Sequence, residues 1–331
     1  MLAGWYEKNG PAAEVIEVGQ MPAPQAGPGE VRVRLHASGV NPSDTKRRSG
    51  WRGQKMTYPR IIPHSDGAGV IEEVGPGVPP ARFGERVWIY NAQWKRPFGT
   101  SAEYIVLPAS QTVRLPENTA FHEGACMGIP AMTAHRAVFV DGPVAGKTVL
   151  VTGGAGAVGN YAIQLAHWGE ATVIATVSSD AKAAVARAAG AHHIVNYKTE
   201  SVAERVKALT GGQGVEHIVE VDFGANLPVT VAVLKPNGTI APYASMAAPE
   251  PVLPYYTLML LNANIRMVYV YELPPTGMQQ ACADITRWLE TGKAVHAVAA
   301  RFPLAQLAKA HELQESGRAL GNIILDIPGS E

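Results

Sequence analysis

Cysteine is nearly absent from this chain: 331 residues contain only Cys126 and Cys282. Two thiols in unrelated contexts exclude a disulfide framework and point to a reducing, cytoplasmic setting. No apolar run approaches the roughly 20 residues that cross a bilayer, and the best, Leu258 to Ile265, holds two asparagines. The first residues, Met1 to Glu7, lack the basic start and apolar stretch of a secretory signal. Neither sign of charge dominates, 28 Lys and Arg facing 28 Asp and Glu. Such a balance gives no electrostatic footprint for nucleic acid or an anionic membrane, so neither is expected as a partner. Internal repeats and low-complexity tracts are also lacking, and the length suggests about two domains.

What is present is a glycine turn in a telling context. The apolar run Thr148 to Thr152 leads into Gly154-Ala155-Gly156-Ala157-Val158-Gly159, and a helix is expected from Asn160 to Trp168. Strand, glycine turn and helix in that order hold a dinucleotide pyrophosphate. Gly154 is expected to make the turn, Gly156 to let backbone approach the phosphates, and Gly159 to let the helix pack closely. The amides of the turn, including those of Ala157 and Val158, then face the anion.

Before this turn the chain reads as β-rich, with strands at 31–35, 69–74, 86–90 and 103–107 punctuated by Pro and Gly. After about Pro130, strands alternate with helices. Strands are expected at 172–177, 194–197 and 215–221. Helices are expected at 181–189, after the capping box Ser201-Val202-Ala203-Glu204, and at 226–234. That alternation implies a doubly wound parallel sheet. A helix near 278–289 and a last strand at 322–327 are read as a return to the first domain. The fold class is α/β, with a β-rich domain over 1–128 and 268–331 and a nucleotide domain over 129–267.

The end of the second nucleotide-domain strand bears on the coenzyme. An NAD enzyme usually places Asp or Glu there for the ribose hydroxyls. Here the strand ends Val177-Ser178-Ser179, with Lys182 one helical step on and Tyr197 ending the next strand. Hydroxyls, an ammonium and a phenol suit the extra phosphate of NADPH. Asp180 as a ribose acceptor for NADH, or Ser179 as a mere helix cap, is the competing reading.

Several stretches resemble the zinc-independent quinone oxidoreductase branch of the medium-chain dehydrogenase/reductases, that of zeta-crystallin. They are Gly39-Val40-Asn41-Pro42-Ser43-Asp44, Arg48-Ser49-Gly50, Ser65-Asp66-Gly67-Ala68-Gly69-Val70-Ile71, Gly84-Glu85-Arg86-Val87, Ala102-Glu103-Tyr104, Gly128 to Ala134 and the glycine loop. The resemblance implies a GroES-like domain and a Rossmann domain with substrate in the cleft between, and a homodimer joined through the edges of the nucleotide-domain sheets. It assigns Lys182, Tyr197 and a C-terminal Arg318 to the adenosine phosphate. Asn41 and Thr133 are its candidates for holding the nicotinamide and facing the substrate, and Ser245 for touching the cofactor.

The zinc members of that superfamily use Cys and His ligands around an open position. Here Ser38 to Asn41 stand where the first cysteine would be, and only His64 with Asp66 remains as a remnant. A metal-free site is therefore expected, and with it an acceptor that carries its own electrophilicity: a quinone, or alternatively an enal or enone. Lys46 occupies a position where several relatives carry tyrosine. Asp44, Lys46, Trp51, His64 and Trp94 are the expected pocket residues, with Asp44, Lys46 and His64 as candidate proton donors beside bulk water.

Overall fold

The computed structural model describes residues 1–329. In chain order the strands are β1 (Leu2–Trp5), β2 (Glu17–Gln20), β3 (Glu30–Val40), β4 (Asp66–Val74), β5 (Arg86–Ile89), β6 (Tyr104–Pro108) and β7 (Thr112–Arg114). Then come β8 (Thr148–Val151), β9 (Thr172–Val177), β10 (His193–Asn196), β11 (Val215–Glu220), β12 (Leu234–Pro242) and β13 (Asn264–Ile265), with β14 (Val298–Pro303) and β15 (Asn322–Asp326) last. Contacts divide the chain into two compact units, Met1–Ile129 with Leu289–Glu331, and Pro130–Trp288. The last two residues of the first unit lie outside the described residues.

The first unit is built on a sheet of order β14-β15-β3-β4-β5-β7, with β6 also paired to β3. Only β14 and β15 run parallel within it. Along β3 every second side chain, Val31, Val33 and Leu35, is fully buried, as a two-residue repeat requires. They pack with Ile71, Val87 and Leu107 in one core. The alternate residues Arg32 and Arg34 turn outward, their guanidinium carbons 5.4 and 5.0 Å from the Tyr104 ring. β3 stops at Val40 because Pro42 cannot donate to a ladder but suits the first turn of a helix. A helix, Pro42–Ser49, begins there with Asn41 as its N-cap and ends at Gly50, φ +72. This junction places Asn41 at a strand end.

In the second unit all pairings are parallel, in the order β10-β9-β8-β11-β12-β13. β8 lies centrally and the strand order reverses beside it, between β8 and β11. In open α/β sheets that is where ligands sit. Val149, Leu150 and Val151 have no exposure, as a strand covered by helices on both faces demands.

Three sequence expectations shift. The helix after the glycine turn starts at Ala157, capped by Gly156, not at Asn160, so Gly159 lies in its first turn. The fourth helix runs Phe223–Val233, not 226–234, because Phe223 is drawn into the core and Pro228 is tolerated inside it. The return to the first unit, expected at 268, comes in the contacts between Trp288 and Leu289. The helix Pro275–Glu290 stays largely with the second unit: Trp288 packs edge-on against Tyr161 (5.9 Å), and Asp284 pairs with His135 (2.9 Å).

Candidate functional site

The glycine turn assigns its glycines differently from the sequence reading. The residue with left-handed backbone is Gly153, φ +67, not Gly154. A Cβ on Gly154 would instead lie 2.9 Å from Ala175 and Ile163, so that position is small for packing. A Cβ on Gly159 would stand 2.3 Å from Gly153 O, which forces glycine where the helix abuts the turn. Gly156 is exposed, and its nearest neighbour beyond a built Cβ is Gly153 O at 3.4 Å. The space over Gly156 is thus open to a ligand, and the first-turn amides of Ala157, Val158 and Gly159 lack intrahelical acceptors.

Beside it, Tyr197 N donates to Val177 O (3.0 Å), which sets Tyr197 alongside Ser178 at the sheet edge. Lys182 Nζ donates to Ser178 Oγ at 2.9 Å. Ser179 accepts from Lys182 N at 3.3 Å and so caps the helix Asp180–Ala188. Ser178, Lys182 and the half-exposed Tyr197 therefore form one group. A cavity of about 630 Å³ opens at these strand ends, lined among others by Thr152, Gly153, Thr176, Tyr197 and Asp222.

Bonded to three of its lining residues, Glu220 is wholly buried, and the sequence alone does not single it out. Its Oε1 accepts from Thr152 Oγ1, Asp222 N and Asn226 Nδ2 (3.0, 2.7 and 2.7 Å). Burial nonetheless raises its pKa. The signal is an acid flanked by apolar residues at the end of the strand, in Ile218-Val219-Glu220-Val221. Ser245, expected at the cofactor, spends its hydroxyl on the loop: it accepts from Gly224 N (2.9 Å) and donates to Ala248 O. Thr133 is buried in the helix Met132–Phe139 of this same unit.

The first unit holds a second polar group. Asn41 Nδ2 donates to Asp66 Oδ2 at 2.7 Å, and Asn41 N donates to Asp44 Oδ2 at 2.8 Å. Burial pushes the Asp44 carboxyl up to about 6, partly opposed by Arg47. Asp66 stands well above the usual carboxylate range through burial, reinforced by the Asp44 charge. A Cβ on Gly128 would lie 2.4 Å from Asp66 Oδ1, so glycine there seats this carboxyl. Asp66, whose bond orients Asn41, is visible in the sequence within the Ser65 to Ile71 stretch and as a companion of His64, with no role toward Asn41.

Two expected pocket residues are corrected. Asp44 is 2% exposed and serves as the cap carboxylate of the Asn41 helix. His64 has no exposure at all, and burial pushes its imidazole down to about 3, so it neither lines a pocket nor donates a proton at neutral pH. Its Nδ1 meets Ser38 Oγ (2.9 Å) and Ser101 Oγ (2.8 Å), and its Nε2 meets His311 Nε2 at 2.9 Å. Thr100 Oγ1 donates to Asp66 O, so Ser38 donates to Thr100 and accepts from His64 Nδ1. His311 must then donate to His64 Nε2.

With both ring nitrogens engaged, His64 does not fit a zinc ligand, and among the described residues no group of three His, Cys, Asp or Glu is placed to hold a metal. Lys46 lies with its ammonium 4.9 Å from the Trp51 ring, and Trp94 has Arg47 at 5.8 Å. Arg318 follows the helix Leu307–Glu315, its guanidinium on Ser316 Oγ (3.3 Å).

Known proteins resemble the chain throughout. A family model described as alcohol dehydrogenase GroES-like domain matches residues 27–117, and one described as zinc-binding dehydrogenase matches 157–289. The quinone oxidoreductase of Rattus norvegicus is 32% identical over 97% of this chain and 95% of its own. A 2-haloacrylate reductase of a Burkholderia species is 30% identical over 98% of both. Among solved structures, an NAD-dependent alcohol dehydrogenase superposes with a TM-score of 0.88 at 30% identity, covering 98% of this chain and 99% of that one. A mycobacterial protein complexed with NADPH gives 0.85 at 29%, over 98% and 100%.

Proposed function

Because the chain belongs to the quinone oxidoreductase branch of the medium-chain dehydrogenase/reductase family, we propose that it reduces quinones with NADPH and without a metal. The observation that carries the coenzyme is the Ser178, Lys182 and Tyr197 group beside the open glycine turn. No carboxylate ends β9, and an ammonium, a hydroxyl and a phenol suit a phosphate dianion better than a ribose diol. When bound, the reduced nicotinamide supplies a hydride, and the acceptor takes it together with one proton from solvent.

The chain's own work is to bind, orient and exclude water. The turn amides hold the pyrophosphate, Lys182 and its neighbours the extra phosphate. Asn41, its amide fixed by Asp66, is the first unit's candidate for contact with the nicotinamide, and Thr133 is the second unit's. Fluorescence titration with both coenzymes tests this reading. Lys182→Glu should weaken NADPH binding about 10- to 100-fold, the worth of a charge-assisted bond, and barely change NADH binding. Equal losses for both would overturn the assignment.

Turnover on ortho- and para-quinones against 2-alkenals separates quinone from enone reduction. The relative named 2-haloacrylate reductase favours including 2-alkenoates in that panel. We also read the enzyme as a cytoplasmic homodimer. Its two cysteines are free. β13 ends the second unit's sheet, and Tyr255, Tyr256, Leu260, Met267 and Tyr269 around it are exposed apolar residues.

A further inference from the structure

A carboxylate is costly to bury unless hydrogen bonds replace its water. Glu220, at the end of β11 and without exposure, meets that condition through one oxygen only. Its Oε1 takes all three donors, from Thr152, Asp222 and Asn226, and its Oε2 has no hydrogen-bond partner among the described residues. An apolar side chain would pack at this position without that cost. What the acid adds is its grip on the three donors.

Those donors stand at two places on one cavity. Thr152 follows β8 and precedes Gly153, whose left-handed backbone opens the glycine turn. Asp222 is the N-cap of the helix Phe223–Val233, and Asn226 is the fourth residue of that helix. A second set of contacts runs from the helix opening to the loop after β12. Phe223 N donates to Ala244 O (2.9 Å), Gly224 N to Ser245 Oγ (2.9 Å), and Ala247 N to both Asp222 oxygens (3.2 Å each). A Cβ on Gly224 would stand 2.2 Å from Ala248 O, so helix and loop abut closely. Thr152, Gly153, Asp222, Asn226 and Met246 of that loop all line the cavity of about 630 Å³.

We propose that Glu220 is a positioning residue for the coenzyme. Its carboxylate ties the glycine turn to the opening of the helix Phe223–Val233, and through that helix to the loop 243–248. The effect on coenzyme rests on the NADPH reading, while the tie itself rests on the contacts of Glu220. One acceptor shared by three donors sets turn and loop in place before ligand arrives, so less freedom is lost on binding. The pyrophosphate is common to both coenzymes. Glu220 therefore acts on NADPH and NADH alike, where Lys182 acts on NADPH.

The test uses Glu220→Ala, Glu220→Gln and Asn226→Ala in the full chain. Fluorescence titration should show Glu220→Ala weakening NADPH and NADH by the same factor, about tenfold, as buried donors left unpaired require. With 1,4-naphthoquinone as acceptor, the coenzyme KM should rise while kcat stays nearly unchanged. Glu220→Gln keeps an acceptor oxygen and should bind both coenzymes nearly as wild type does. Asn226→Ala removes one donor and should weaken both about threefold, which decides the matter where Glu220→Ala does not fold. Coenzyme affinity unmoved in the alanine variants, whatever their melting temperatures, would overturn the proposal.

Should wild type bind neither coenzyme, the reductase reading fails and amide hydrogen exchange of the free chain still decides. Exchange across 153–159 and 243–248 should speed up about fivefold relative to β9 in Glu220→Ala, or in Asn226→Ala where the former does not fold. In Glu220→Gln it should stay near wild type. Exchange unmoved, or raised in one of the two segments alone, overturns the tie.

Discussion

His64 takes a left-handed backbone, φ +79, that a residue with a side chain seldom adopts. Its ring contacts to Ser38, Ser101 and His311 compensate for that strain. Held neutral by burial, with a pKa near 3, the ring links stability to pH. The unfolded chain takes up this proton below the ordinary imidazole value of 6.5; the folded chain does not until about 3. The contribution is therefore complete above 6.5 and is lost as pH falls toward 3. Asp44, raised to about 6, acts in the opposite sense, its share present below about 4 and lost as pH rises to 6. The wild-type minus His64→Gln difference in urea midpoint thus isolates the imidazole. That difference should shrink steadily from pH 7 to pH 4.5, and a constant difference would contradict a neutral buried ring. At this scale the placement of Lys182 and Tyr197 beside Ser178 was legible, because residue type and strand position suffice for it. The orientation of Asn41 by Asp66 was not, because 25 residues separate the partners.

Among the elements, the strand-turn-helix from β8 through Trp168 was readable as a unit, since its glycines and apolar run are consecutive. Its internal division of labour was not, because φ values and clashes depend on what packs behind the turn. That division separates two outcomes. Gly156→Val places its side chain in open space, so the melting temperature should hold within a degree or two while NADPH affinity drops at least tenfold. Gly159→Ala drives a Cβ against Gly153 O and should cost on the order of 1 to 3 kcal/mol, lowering the melting temperature by several degrees. Calorimetry with coenzyme titration checks both, and a reversed pattern would refute the assignment. The Ser201 cap is a purely local device and stands where the sequence put it, Ser201 Oγ accepting from Glu204 N at 3.5 Å. Boundaries such as Phe223 moved because core burial overrides local turn preference.

For the molecule as a whole, a net charge of zero goes with an exposed apolar strip at the edge of the second unit. The strip predicts self-association. Leu260→Asp, at a residue 79% exposed in the single chain, should shift light-scattering mass from dimer to monomer while leaving NADPH binding intact. A wild-type monomer at micromolar concentration would end the dimer reading. Sequence alone determined what is local or periodic: the two architectures, the parallel sheet, the coenzyme turn and the missing cysteine ligands. These follow from neighbours along the chain, whose spacing sets strand, helix and turn. Tertiary structure alone decided that His64 is sealed against His311, that Asp66 aims Asn41, and that Arg47 stands by the ring of Trp94. Each depends on partners brought together by burial, and burial is a property of the folded core that no stretch of sequence carries by itself.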